Sequence, residues 1–339
     1  MFRLNFALSL IAVLSLIAEL CAHAALPTNK LGKKALLQPK HQKIITRTTK
    51  AKPNSKSKAA RLAKKNLNRG FSPIAPRPHY DLPITHNSKV RFWMKHYQKG
   101  GRFWFKRWME RSYRYMPQMQ AHMRQKGIPQ DLAYVAMIES GFLAHATSTA
   151  AAVGYWQFIR PTANRYGLRT SWWLDERRDF TKSTRAAASY LSDLYKIFQS
   201  WYLTAAAYNM GEGRLHRLIK RHKTNNFWVL SKKRDFPKET REYIPKLIAA
   251  LLISKRPRMY GFYNIQRKQP FSYEYFSVPG GTDLYHLSKY LKVNKRLLKR
   301  LNPELIHGFI PGFINSHRIR VPKGTTTRVS QFVRSYMKK

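Results

Sequence analysis

From residue 89 to about residue 258, apolar side chains return every three or four positions amid Arg and Lys. That spacing commits half of the chain to amphipathic helices wrapped round a common core. Trp93, Trp104, Trp108 and Met116 are expected to face that core, the usual fate of an aromatic stripe on a long helix. A second helix opens at Ile128-Pro129, where proline suits the first turn, and closes at Gly141, which can take the left-handed conformation that ends a helix. A third starts near Ser183 as its cap, with Ala187, Tyr190, Leu191, Leu194, Phe198 and Trp201 on one stripe. Residues 201–209 form a further helix ending at Gly211. Residues 239–254 form another, in which Pro245 kinks the helix or restarts it.

Beyond Pro257 the pattern changes. Phe271, Tyr273 and Tyr275 alternate as in a strand, residues 282–290 and 294–301 read as helices, and residues 318–321 as a second short strand. The expected fold class is mainly α, with a small β-α-α-β unit at the C-terminal side.

Charge divides the chain further. Lys and Arg outnumber Asp and Glu by 64 to 16, a formal charge of +48 that points to a polyanion or an anionic surface as partner. Residues 26–80 contain no acid at all. They mix Lys and Arg with Pro, Ser and Asn, a composition that reads as a solvated basic tether. Ahead of it, an Arg-bearing start, an apolar run at residues 6–17 and Ala22-His23-Ala24 have the form of a secretory signal peptide cleaved near Ala24. The one cysteine, Cys21, lies inside this leader, with Glu19-Leu20 ahead of it where a lipoprotein site has a small residue. The exported chain then has neither a disulfide framework nor a thiol nucleophile. The expected layout is 1–24 leader, 25–80 tether, 89–260 helical domain and 270–325 C-terminal unit.

The chemistry centres on Glu139. Leu132, Val135 and Ala136 precede it by seven, four and three residues, so a helix puts all four on one face. Lost hydration and the negative end of its own helix both disfavour the carboxylate, which raises its pKa. Such a group can give a proton to the leaving oxygen of a glycosidic bond and take one back later. Position alone leaves open an ordinary capping or ion-paired Glu.

A wider pattern bears on that choice. Glu139-Ser140-Gly141-Phe142 is followed by Ala146, Ser148, Gly154, Trp156-Gln157-Phe158, Thr162-Ala163 and Tyr166-Gly167-Leu168. Then come Ala206-Ala207-Tyr208-Asn209-Met210-Gly211, Arg214, Phe227-Trp228, Glu239-Thr240 and Tyr243-Ile244-Pro245-Lys246-Leu247. This ordered series resembles the soluble lytic transglycosylase and goose-type lysozyme superfamily over residues 90–260. The resemblance implies a lysozyme-like helical fold with a groove for peptidoglycan strands. It implies Glu139 as the catalytic acid and base, and Ser148, Gln157, Tyr208, Asn209 and Tyr243 as substrate-binding groups. Taken singly, Ser148 reads as a cap, Tyr208 as a core residue and Asn209 as a helix end.

The chain departs from the family pattern at Ala151, where glycine is usual, at Tyr155, where leucine is usual, and at Arg160-Pro161. Two-carboxylate hydrolysis needs a partner acid about 5 to 9.5 Å across the sugar. The nearest downstream acids, Asp175, Glu176 and Asp179, read as an ordinary charged loop with Arg177 and Arg178. The resemblance therefore implies the non-hydrolytic outcome, a 1,6-anhydromuramoyl end. No metal site is expected, since His216 and His222 read as a solvated basic face. No cofactor is expected either, because Gly211-Glu212-Gly213 follows a helix and lacks the third glycine of a phosphate loop.

The C-terminal stretch, with Gly281-Thr282, Leu287, Tyr290, Val293, Leu298, Asn302-Pro303 and Ile319-Arg320-Val321-Pro322, resembles a degenerate LysM module, which implies binding of N-acetylated glycan. Peptidoglycan strands are thus the expected partner of a monomeric chain, and the tether adds an anionic membrane surface or wall polymer. A catalytically silent wall-binding protein, a lysozyme-type hydrolase and a basic nucleic-acid-binding protein are the competing readings.

Overall fold

The computed structural model describes residues 78–337; the expected leader and nearly all of the tether lie outside the described residues. The helical part begins with α1 (Ser88–Gln98) and α2 (Arg102–Gln125), then a 3-10 turn (Gln130–Ala133) leading into α3 (Tyr134–Ser140). It continues through α4 (Arg160–Arg165), α5 (Phe180–Phe198), α6 (Trp201–Met210), α7 (Glu212–His222), α8 (Phe227–Leu230) and α9 (Lys238–Lys255). The C-terminal part is β1 (Tyr273–Pro279), α10 (Leu284–Tyr290), α11 (Lys295–Leu301), β2 (Ser316–Pro322) and α12 (Thr326–Met337). The two strands pair antiparallel, Tyr273 opposite Pro322 and Pro279 opposite Ser316. The fold is thus mainly α with a small α+β unit. No described helix is long and apolar enough to cross a membrane.

Most of the helical periodicity is realised as packing. Trp93, Trp108 and Met116 are buried, together with Phe105, Met119 and Met123, in one core that α3, α5, α6 and α9 share. Trp104 is the exception at 48 % exposed. It sits in the first turn of α2, one residue off the stripe of Phe105, Trp108 and Met109, so its ring is left in solvent. On α5 the stripe Ala187, Tyr190, Leu191, Leu194 and Phe198 is buried. Trp201 instead belongs to the next helix and stacks on Tyr195 at 3.8 Å between ring centroids.

Three features of the helices differ from the sequence reading, the first being that the segment expected to open as a helix at Ile128-Pro129 starts as the 3-10 turn Gln130–Ala133 and becomes α-helical only at Tyr134. The cap of α5 is Asp179, whose carboxylate accepts from the amides of Thr181 and Lys182. Ser183 lies one turn inside, buried, its hydroxyl donating back to the Asp179 carbonyl. Pro245 lies within α9 and neither ends nor restarts it, because the buried run from Tyr243 to Ile253 outweighs one lost backbone bond. The closing helix α12 was not foreseen; its Val329 and Phe332 are buried in the second core.

That second core joins Val278, Leu284, Leu287, Leu298, Ile310, Ile319 and Val321 of the C-terminal unit to Trp173 and Leu174 of the helical part. The segment holding Asp175, Glu176 and Asp179 is accordingly no ordinary surface loop. All three acids are buried, as is Arg177. Arg177 pairs with Asp175 at 2.9 Å, and Glu176 takes Arg169 at 2.9 Å and Lys182 at 2.6 Å. His222, read as solvated, bonds Asp235 at 2.8 Å, beside Arg221 on the same carboxylate.

Candidate active site

The apolar face that leads to Glu139 is built by Leu132 of the 3-10 turn and by Val135 and Ala136 of α3, each wholly buried. Burial of a Leu or Val side chain contributes about 1.5 to 3 kcal/mol, so these residues set the rotation of the helix. Glu139 follows on the same face in the last turn, and Gly141 ends the helix at φ 56° in the left-handed region. The helix therefore delivers one carboxyl to the floor of a cleft of about 410 Å³.

Ser148, Gln157, Tyr208 and Asn209 line the same cleft, with Thr162, Tyr190, Glu212 and Glu239. Tyr243, from α9, donates its hydroxyl to Glu139 Oε1 at 2.5 Å. The six residues named from sequence are thus gathered around one cavity, five on its wall and the sixth bonded to the acid. Burial pushes the Glu139 carboxyl up to about 7, against which the Tyr243 hydrogen bond acts; the Glu239 charge raises it further and Lys246 lowers it. Around neutrality this group is poised between donating and accepting a proton.

The rest of the wall is a loop, residues 146–158, folded on itself by short bridges of Val153 to Thr147 and Phe158. The Ser148 hydroxyl accepts from the amide of Ala152 at 3.1 Å, and the Ser148 carbonyl accepts from Ala151. Ser148 is thus both a turn cap and a cleft residue. The Gln157 side-chain amide donates to the carbonyls of Ala146 and Gly154 at 3.1 and 2.9 Å, which fixes its plane. Tyr208 donates to the Trp156 carbonyl at 2.7 Å, and Asn209 bridges Glu239 and Thr240. Ala151 adopts φ 56°, the left-handed geometry that favours glycine, which gives a backbone reason for glycine there in the related pattern. Tyr155 is buried against Tyr115 and Phe180, so its greater bulk is absorbed in the core.

Sequence reasoning missed the cleft acids. It weighed Asp175, Glu176 and Asp179 as second carboxylates, whereas Glu239 and Glu212 are the ones that reach the wall. Glu239 stands near the start of α9, four residues before Tyr243 and so on the same helix face, a spacing that could have flagged it. Glu212 is held by Arg165 at 2.7 Å and by the Tyr190 hydroxyl at 2.9 Å.

An acid of raised pKa on a helix end, a loop crossing in front of it and a tyrosine bonded to it form the pattern that comparison with known proteins can test. Residues 117–231 match the family described as Transglycosylase SLT domain. Over 152 residues the chain is 40 % identical to the membrane-bound lytic murein transglycosylase D of Escherichia coli strain K12, a match that takes in 43 % of this chain. The chain spans 33 % of the length of that relative. Among solved structures, the 70 kDa soluble lytic transglycosylase of Escherichia coli aligns with 55 % of this chain and 34 % of its own, at 19 % identity and a TM-score of 0.38. The lytic transglycosylase Slt of Pseudomonas aeruginosa aligns with 45 % of this chain and 25 % of its own, at 21 % identity and a TM-score of 0.36. The SLT match spans α3 with Glu139, the 146–158 loop and α6, while Glu239 and Tyr243 lie C-terminal to it.

Proposed function

We propose that this protein is a peptidoglycan lytic transglycosylase, cleaving the β-1,4 bond between N-acetylmuramic acid and N-acetylglucosamine without water. The observation that carries the reading is the Glu139 carboxyl, raised to about 7 and bonded to Tyr243 on the floor of a cleft rich in hydroxyls and amides. Protonated Glu139 gives its proton to the departing O4 of glucosamine as the C1–O4 bond breaks, and the muramic N-acetyl oxygen supports C1. The carboxylate so formed then takes the proton of the C6 hydroxyl. O6 attacks C1, and a 1,6-anhydromuramoyl end results with Glu139 protonated again. Ser148, Gln157, Tyr208 and Asn209 are the groups that orient the sugar hydroxyls and N-acetyl arms for this.

Glu239 favours one second reading, since a further carboxylate in the cleft could activate water as in a lysozyme-type hydrolase. Mass analysis of purified peptidoglycan digested by the protein separates the two. Anhydro ends that vanish in Glu139→Gln and persist in Glu239→Gln are the expected result. Reducing ends that vanish in either variant would establish the hydrolase, and no cleavage by the wild type would leave a wall-binding role.

The C-terminal unit serves on this reading as a LysM-like glycan-binding element, and the chain as a monomer of the cell envelope. Export rests on the leader at residues 1–24, and anchorage to anionic headgroups or wall polymers on the acid-free tether. Deleting residues 26–78 is expected to release the protein from envelope fractions; undiminished association would refute the tether's role.

A further inference from the structure

Of the buried acids of residues 175–179, Asp179 has a charged partner that the nearby sequence does not supply. Arg320, on β2 of the C-terminal unit, reaches across to Asp179 with two contacts of 2.7 Å and touches Glu304 at 3.3 Å. It is 1 % exposed. Phe180, Tyr273 and Tyr275 enclose its guanidinium, with ring centroids 5.3 to 5.6 Å away. Its backbone is fixed as well: Asn302 accepts from the Arg320 amide at 2.6 Å and donates to its carbonyl at 2.8 Å. Residues 173–175 are stitched to the same unit by backbone bonds. The Asp175 amide donates to the Glu304 carbonyl at 2.8 Å, and the Ile306 amide to the Trp173 carbonyl at 2.9 Å.

From this clamped segment the contacts lead to the cleft. Asp175 grips Arg177 with two bonds of 2.9 Å. The other arm of Arg177 donates to the carbonyls of Ala151 and Phe158, both at 3.1 Å. Those carbonyls belong to the loop that carries Ser148 and Gln157. At Gly154, in the same loop, the backbone lies so close to the Arg177 carbonyl that a Cβ would come within 2.0 Å of it. The links are hydrogen bonds, all buried but the part-buried one to Ala151, together with a close backbone contact, the kind of packed junction that transmits a displacement.

We propose that Arg320 is a positioning residue for the glycan cleft: through Asp179 and the 173–178 segment, the C-terminal unit holds the Ser148–Gln157 loop in its binding geometry. The C-terminal unit is then part of the cleft's support and not only an appended glycan binder. The assignment rests on the reading of the cleft as the glycan site, and it concerns how tightly the sugar is held rather than the proton transfers at Glu139.

The test uses the full chain with Arg320→Met/Asp179→Asn. The pair removes both charges at once, and asparagine still caps α5. Arg320→Lys keeps the charge but loses the second nitrogen, which reaches Glu304 and the Leu301 carbonyl while the first holds Asp179, and Lys323→Ala, on the surface, is the control. Expected for the double variant is a melting temperature within about 5 °C of wild type, with amides of residues 146–158 exchanging about tenfold faster. KM for peptidoglycan should rise about three- to tenfold with kcat held within about twofold. The Glu139→Gln background should lose affinity for a β-1,4-N-acetylglucosamine hexamer by a similar factor, and Arg320→Lys should fall between. Unchanged loop exchange in the folded double variant, or in Arg320→Lys if the double variant does not fold, overturns the proposal. A wild type that binds the hexamer but forms no anhydro ends would refute the transglycosylase reading, while loop exchange would still decide the role of Arg320.

Discussion

At the scale of single residues, the Glu139 proton ties stability to pH and, on the proposed mechanism, to activity as well. Its ordinary value of 4.5 rises to about 7 in the fold, chiefly by burial. Between those values the folded chain keeps a proton that the unfolded chain has released, so stability is greatest at the acid end and falls as pH rises through this window. At 1.36 kcal/mol per unit the loss is about 3 kcal/mol. Glu139→Gln, which cannot ionise, should therefore match wild type near pH 4 and melt higher above pH 7, as a thermal series across pH would show. The neighbours tune the same proton in opposite directions. Tyr243→Phe removes a bond that favours the carboxylate, which should move the alkaline limb of kcat/KM to higher pH. Glu239→Gln removes a charge that disfavours it, which should move that limb to lower pH. Both shifts are read from pH–rate profiles, and shifts of the same sign would contradict this electrostatic account.

At the scale of elements, the cleft depends on backbone positions that leave no space for a side chain. Gly141 ends α3 with Trp108 where a Cβ would stand, 2.3 Å from the nearest ring carbon. Gly154 combines φ 86° with the close Arg177 carbonyl. Alanine at 154 is strained by its dihedral and by a backbone clash that no rotamer relieves, so Gly154→Ala should destabilise by about 2 to 4 kcal/mol in urea unfolding. The opposite case is Gly167, also at positive φ but with nothing within 4 Å of a Cβ. Alanine there should cost only about 1 kcal/mol, the backbone share alone. A cost at 154 no greater than at 167 would show that the loop yields to the clash.

At the scale of the whole molecule, the junction of the helical part with the C-terminal unit is ionic at its centre. Burial and the Asp179 charge push Glu304 up to about 8, while Asp179 and Glu304 hold the Arg320 guanidinium firmly in its charged form. Removing one partner of such a pair leaves the other charged and dry, a loss of about 3 to 5 kcal/mol. Arg320→Met alone should therefore unfold at much lower denaturant than Arg320→Met/Asp179→Asn, in which the stranded charge is gone. Equal midpoints for the two variants would mean that water enters the junction and screens it.

The sequence by itself was enough for whatever depends on local period and order along the chain. The apolar repeat prescribed α5, α6 and α9, though not α4, α7, α8 or α12, Gly141 the end of α3, and the phase of Leu132, Val135 and Ala136 the face from which Glu139 projects. The ordered motifs from Glu139 to Tyr243 pointed to residues that the fold gathers at one cleft, although Ser148, Tyr208 and Asn209 each had a bland local reading. Only the tertiary structure decided matters that turn on segments far apart in sequence. It exposed Trp104, transferred the α5 cap from Ser183 to Asp179, and brought Glu239 and Glu212 to the cleft wall in place of Asp175, Glu176 and Asp179. The reason is the same in each case. Burial and charge pairing are properties of what lies opposite a residue, and for Asp179 that is Arg320, 141 positions further along the chain.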